Sequence, residues 1–72
     1  MIDEKIVINL SRLPRLIVDC IEKLEYYNKI NDDIMYYSTL ELLETTAKSY
    51  ILNNKLSKED YSAILKKYGG EI

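Results

Sequence analysis

The amino-acid sequence predicts an all-α fold: a small three-helix bundle preceded by an extended or short separate N-terminal segment. Three observations predict it. Apolar residues recur at spacings of three and four through three successive stretches. Each stretch is bounded by Ser, Asp, Asn or Gly at the places where helices start and stop. Only the first ten residues alternate in the manner of an extended chain.

In the first stretch the apolar stripe is Leu13, Leu16, Ile17, Cys20, Ile21, Leu24 and Tyr27. Arg15, Asp19, Glu22, Lys23, Glu25 and Tyr26 fall largely off it, and Asp19 stands one turn before Lys23 as a favourable acid-to-base pair. Ser11 is the expected N-cap, which puts Pro14 in the first turn, where its missing N–H is harmless. The helix is expected over about 12–29.

Asn31-Asp32-Asp33 breaks the pattern with turn-forming residues, and Asp32 or Asp33 caps the next helix, expected over about 33–53. Its stripe reads Tyr36, Leu40, Leu43, Ala47, Tyr50 and Ile51, widened by Met35 and Leu42, against a polar face of Ser38, Glu41, Glu44, Thr45 and Lys48. So wide an arc places this helix between two neighbours, and Ala47 permits a close crossing.

Asn53-Asn54-Lys55 ends the second helix, because Asn tolerates the left-handed conformation found there. The third helix, about 57–68, begins at Ser57 with Asp60 three residues on, a relative of the capping box, and Leu56 positioned to staple onto Tyr61. Tyr61, Ile64, Leu65 and Tyr68 are its apolar face. Lys66 and Lys67 suit the negative end of the dipole, and Gly69-Gly70 stops the helix.

In the N-terminal segment Ile6, Ile8 and Leu10 alternate with Val7 and Asn9, which reads as extended chain. Ile2, Ile6, Leu10 and Leu13 also fit a backward continuation of the first helix. Pro14 opposes that, since its ring meets the carbonyl four residues back and drives Leu13 toward extended geometry.

A chain of 72 residues holds one domain, here an apolar segment (1–10) and a helical core (11–70). It hides only about 60% of the surface its unfolded form exposes. The usual remedies are disulfides, a metal or a partner. One cysteine excludes an internal disulfide, and the absence of histidine leaves no ordinary zinc site. Self-association or very good helix packing remains.

Composition excludes further classes. Ten Lys and Arg against twelve Asp and Glu give a net charge of −2, without the basic face of a nucleic-acid binder. Arg12, Arg15 and Lys5 form the one modest basic cluster, diluted by Asp3, Glu4 and Asp19, so a small DNA-binding regulator is the second-ranked reading. An acidic inhibitor or adaptor using Asp32, Asp33, Glu41 and Glu44 is a third. No window approaches the ~20 apolar residues of a membrane span. A free cysteine and a start unlike a signal peptide point to the cytoplasm. The wealth of Ile, Leu, Lys, Tyr and Asn is that of AT-rich coding DNA, as in low-GC bacteria and their phages.

No catalytic constellation, cofactor or metal is expected. The adjacent acids Asp3-Glu4, Asp32-Asp33 and Glu59-Asp60 each fall at or near a helix start, where they serve capping and the dipole. Cys20 lies on the apolar stripe and reads as core. Of the paired tyrosines, Tyr27 and Tyr36 are assigned inward, leaving Tyr26 and Tyr37 at the periphery, either in an interface or shielding the core edge. The expected function is a self-associating protein–protein interaction module without catalytic activity, forming a homodimer or binding another protein through Ile2, Ile6, Ile8, Leu10, Tyr26 and Tyr37. The N-terminal segment would pair with a second copy, add to a partner's sheet edge or complete an intermolecular bundle. The alternative is that it folds back over the third-helix groove.

Overall fold

The computed structural model describes residues 2–69. In chain order come a 3-10 turn, Leu10–Arg12, and three helices: α1 (Arg15–Lys29), α2 (Asp33–Leu52) and α3 (Lys58–Tyr68). The described residues contain no strand. Short connections make α1 and α2 an antiparallel pair and return α3 alongside α2, so α2 is the helix that touches both neighbours.

Local chemistry sets each boundary. Pro14 holds Leu13 extended (φ −97°, ψ 149°). It occupies the N-cap of α1 itself, its carbonyl accepting from the Ile17 and Val18 N–H groups. Ser11 is therefore not the cap expected from the sequence. Its N–H and hydroxyl both donate to Asn9 Oδ1, which caps the preceding 3-10 turn. Asp32 caps α2 by accepting from the Met35 N–H (3.1 Å), and Ser57 caps α3 by accepting from the Asp60 N–H (3.0 Å).

α1 and α2 end alike. Asn31 and Asn54 both take φ 60°, the left-handed region. In each case the N–H groups of that Asn and the next residue turn back onto the last helical carbonyls: Asn31 to Asn28 and Asp32 to Tyr27, Asn54 to Ile51 and Lys55 to Tyr50. These are paired Schellman endings, which satisfy carbonyls that a helix end otherwise leaves open. Gly70, half of the stop expected after α3, lies outside the described residues. At Gly69 a Cβ would stand 2.6 Å from the Leu65 carbonyl oxygen, so the tight end of α3 needs glycine there.

The core is built from Ile17, Cys20, Ile21 and Leu24 of α1, Tyr36, Leu40, Leu43 and Ala47 of α2, and Leu56, Ile64 and Tyr68 around α3. A polar chain crosses it. The Tyr36 hydroxyl donates to the Tyr68 carbonyl (2.7 Å), satisfying an orphan of the α3 terminus. The Tyr68 hydroxyl donates to the Glu25 carboxylate (2.8 Å) and so ties α3 to α1. Burial pushes the Tyr36 hydroxyl up to about 12, with Tyr37 and Glu25 adding to the shift.

Glu25 meets α3 from one flank of α1, and Glu44 bears on Tyr61 of α3 from one flank of α2. At about 100° per residue these two flanks lie on the same side of the α1–α2 pair. α3 covers that side. Met35 and Leu42, expected to widen the packed arc of α2, are on the opposite flank and stay substantially exposed.

Two outcomes test these assignments. Asn31→Ala, which puts a Cβ without a local hydrogen-bonding side chain into the left-handed region, lowers unfolding free energy in urea by about 1 kcal/mol, while Asn31→Gly does not lower it. For Tyr36 the raised pKa means the unfolded chain ionises first, near pH ~10. The stabilisation is fully present below that pH and is lost as pH rises through about 12. Urea midpoints measured from neutral to alkaline pH fall across that window, and Tyr36→Phe, less stable at neutral pH by about 1 kcal/mol, shows a shallower fall.

Candidate protein interface

The N-terminal segment runs back along α3, antiparallel to it, and is fastened at both ends. Near the chain start the Asp3 N–H donates to the Lys67 carbonyl (2.9 Å). The Lys67 ammonium donates to the carbonyls of Ile6 (2.7 Å) and Asp3 (3.3 Å). Glu4 Oε1 lies 4.0 Å from the same nitrogen, which also stands 5.7 Å from the centroid of the Tyr68 ring. Asp3 organises the local turn through its carboxylate, which accepts from the Lys5 N–H, and its carbonyl, which accepts from the Ile6 N–H. At the other end Arg12 donates through one nitrogen to both carboxylate oxygens of Asp60 (2.7 and 2.8 Å).

The two fasteners differ in strength. Lys67 is only 8% exposed. A buried ammonium is tolerated only with good acceptors around it, and hydrogen bonds to a charged group are worth about 1.5–3 kcal/mol. The Arg12–Asp60 pair is largely solvated, and solvated pairs of that kind contribute little to stability. Its hydrogen bonds still hold the Asp60 carboxyl below its usual range, and they hold the Arg12 guanidinium above its own.

This arrangement distributes the expected interface residues in two groups. Ile2, Ile6 and Ile8 are half-buried within the chain's own fold, and Ile2 and Ile8 pack against its core. Leu10, Tyr26 and Tyr37 keep exposed faces, as does Val7, which is 89% exposed. The segment thus takes the fold-back path over α3, without leaving all its aliphatic side chains covered. Tyr26 and Tyr37 are peripheral and Tyr27 and Tyr36 turn inward, each outer ring resting edge-on against its inner neighbour (centroids 5.4 and 5.5 Å apart).

Lys67 is the residue that sequence reasoning missed. Its place in the last turn of α3 suggested a solvated charge serving the helix dipole. The signal that could have found it is spacing: Asp60, Ala63 and Lys67 share one flank of α3, beside the apolar face. That flank receives the N-terminal segment.

The other candidate groups are also placed. Arg15 pairs with Asp19 (3.1 Å) and Arg12 with Asp60, so both arginines of the basic cluster stand against carboxylates. Asp32 is consumed as an N-cap. Cys20 is buried, and that burial pushes its thiol pKa up. Among the described residues there is no pocket and no group of three or more potential metal ligands. No helix among them is long and apolar enough to cross a membrane. Comparison with family models, curated proteins and solved structures finds no match to this chain.

The clasp has a direct test. Lys67→Met keeps a long apolar stem but abandons two carbonyls. Trypsin cleavage after the exposed Lys5 is expected to accelerate about tenfold or more in this variant, since losing hydrogen bonds of this strength raises the open population by at least that factor. Equal cleavage rates in both proteins would remove Lys67 from its role.

Proposed function

We propose that this chain is a protein–protein interaction module that self-associates and has no catalytic role. The observation that carries this reading is the apolar surface remaining after the N-terminal segment has folded back. Ten large hydrophobic side chains, Val7 and Leu10 in the segment and eight on or beside α1 and α2, are two-fifths or more exposed. Isolated exposed hydrophobics are ordinary, but a chain of 72 residues has little surface over which to scatter so many. A second copy would cover them and supply the core volume that a chain this short lacks.

Leu10, Tyr26 and Tyr37 remain the members of the expected interface with area to offer. Ile2, Ile6 and Ile8 support it from behind by seating the segment. A reducing, cytoplasmic setting suits the free buried cysteine. The pairing of Arg12 and Arg15 with carboxylates gives phosphate groups little to bind, which weighs against the DNA-binding reading.

Sedimentation equilibrium at micromolar concentration tests the proposal. The expected result is a species of twice the 8.5 kDa chain mass. A mass of one chain throughout that range would contradict self-association.

A further inference from the structure

The N-terminal segment is the least embedded part of the molecule. From Ile2 to Leu16 no residue is buried, the longest such run among the described residues. What closes the segment onto α3 is Lys67, whose ammonium donates to main-chain carbonyls of the Asp3–Ile6 turn. A segment held by so little area and by a few directed bonds opens more readily than the helices beneath it. We infer that residues 2–8 are exchanged between two copies of the chain, each segment leaving its own α3 and taking the same seat against the partner's Lys67. The inference rests on the proposal that the chain self-associates and names the parts that join the copies.

Three observations support exchange. The seat is specific, and the structure shows its occupant. Lys67 accepts a turn that Asp3 builds with the Lys5 and Ile6 N–H groups, while Ile2 and Ile8 pack on the core to either side of it. A second copy offers the same turn at the same spacing, so each contact of the closed chain is remade across the pair. Second, the chain has a hinge in the right place. Asn9, Leu10, Ser11 and Arg12 are all exposed, and their 3-10 turn is held by two main-chain bonds of 3.2 Å and the Asn9 cap. Straightening that turn hands these groups to water at small net cost. Leu13 and Pro14 are already extended (ψ 149° and 150°), so α1 is undisturbed and Arg12 keeps its own Asp60. Third, exchange covers what closure leaves bare. Val7 and Leu10 lie on the segment and the hinge and face water in the closed chain. In an exchanged pair the two hinges pass each other at the two-fold axis, where each Leu10 meets its counterpart with Val7 beside it. Swapping an identical element in this way is a low-cost route to a dimer. The tether favours closure in dilute solution, and exchange gains as concentration rises.

The test asks whose Lys67 each segment touches. Equal amounts of carbon-13-labelled and unlabelled protein are unfolded in urea, refolded together at dimer-forming concentration and examined by isotope-filtered nuclear Overhauser spectroscopy. Contacts between the Lys67 methylenes and the Ile6 methyls are expected across the label boundary. Two hinge variants move the dimer in opposite directions, with helix content unchanged in far-ultraviolet circular dichroism. Asn9→Ala, which loosens the closed turn, is expected to tighten the dimer about fivefold or more. Leu10→Ser, which strips the crossing point, is expected to weaken it about tenfold or more. A dimer whose Lys67–Ile6 contacts appear in fully labelled protein but never across the label boundary overturns exchange and leaves self-association standing. A wild-type protein that is monomeric overturns both.

Discussion

The structure turns on one buried ammonium group. Lys67 reaches from the last turn of α3 to two backbone carbonyls of the N-terminal segment, and its own carbonyl takes the Asp3 N–H in return. Position favours the contact twice over: a cation at a helix C-terminus is stabilised by the dipole, and carbonyls in a turn have few other partners once water is removed. From this follow the course of residues 3–12 along α3, the seating of Ile2 and Ile8 on the core, and the side of the molecule left open.

The core below the clasp solves a different problem. α3 has eleven residues and a modest apolar face, too little to hold a helix by burial alone. Two tyrosines add directed bonds, Tyr36 to the end of α3 and Tyr68 onward to Glu25, so that α3 is tied to both other helices through one terminus. With α3 and the clasped segment stacked on one side of the α1–α2 pair, nothing of the described chain remains for the other side. The exposure of Leu16 and Leu42 is a consequence of that asymmetry.

Much of this was legible in the sequence because it is local. Asn54 announced a left-handed helix end and Asn31 a turn, Ser57 and the Asp32-Asp33 pair announced caps, and the phase of Tyr27 and Tyr36 within their pairs announced which ring turned inward. Pro14 announced a break but not its consequence: by taking the N-cap itself it left Ser11 to Asn9. What could not be read was non-local. The acceptors of Lys67 are main-chain carbonyls, which every residue possesses, so no side chain marks the far end of the bond. The breadth of the α2 stripe announced two neighbours, which α2 has, but periodicity does not say which flank α3 takes, and Met35 and Leu42 stay exposed on the other.

The account depends on the N-terminal segment being docked through Lys67 in the folded chain. Nuclear Overhauser contacts from the Lys67 side-chain methylenes to the Asp3–Ile6 turn, recorded on dilute protein, examine that geometry without altering it. The account requires cross-peaks to Ile6 and chemical shifts for residues 3–8 displaced from random-coil values. Random-coil shifts through that stretch, with no contacts to Lys67, would contradict it.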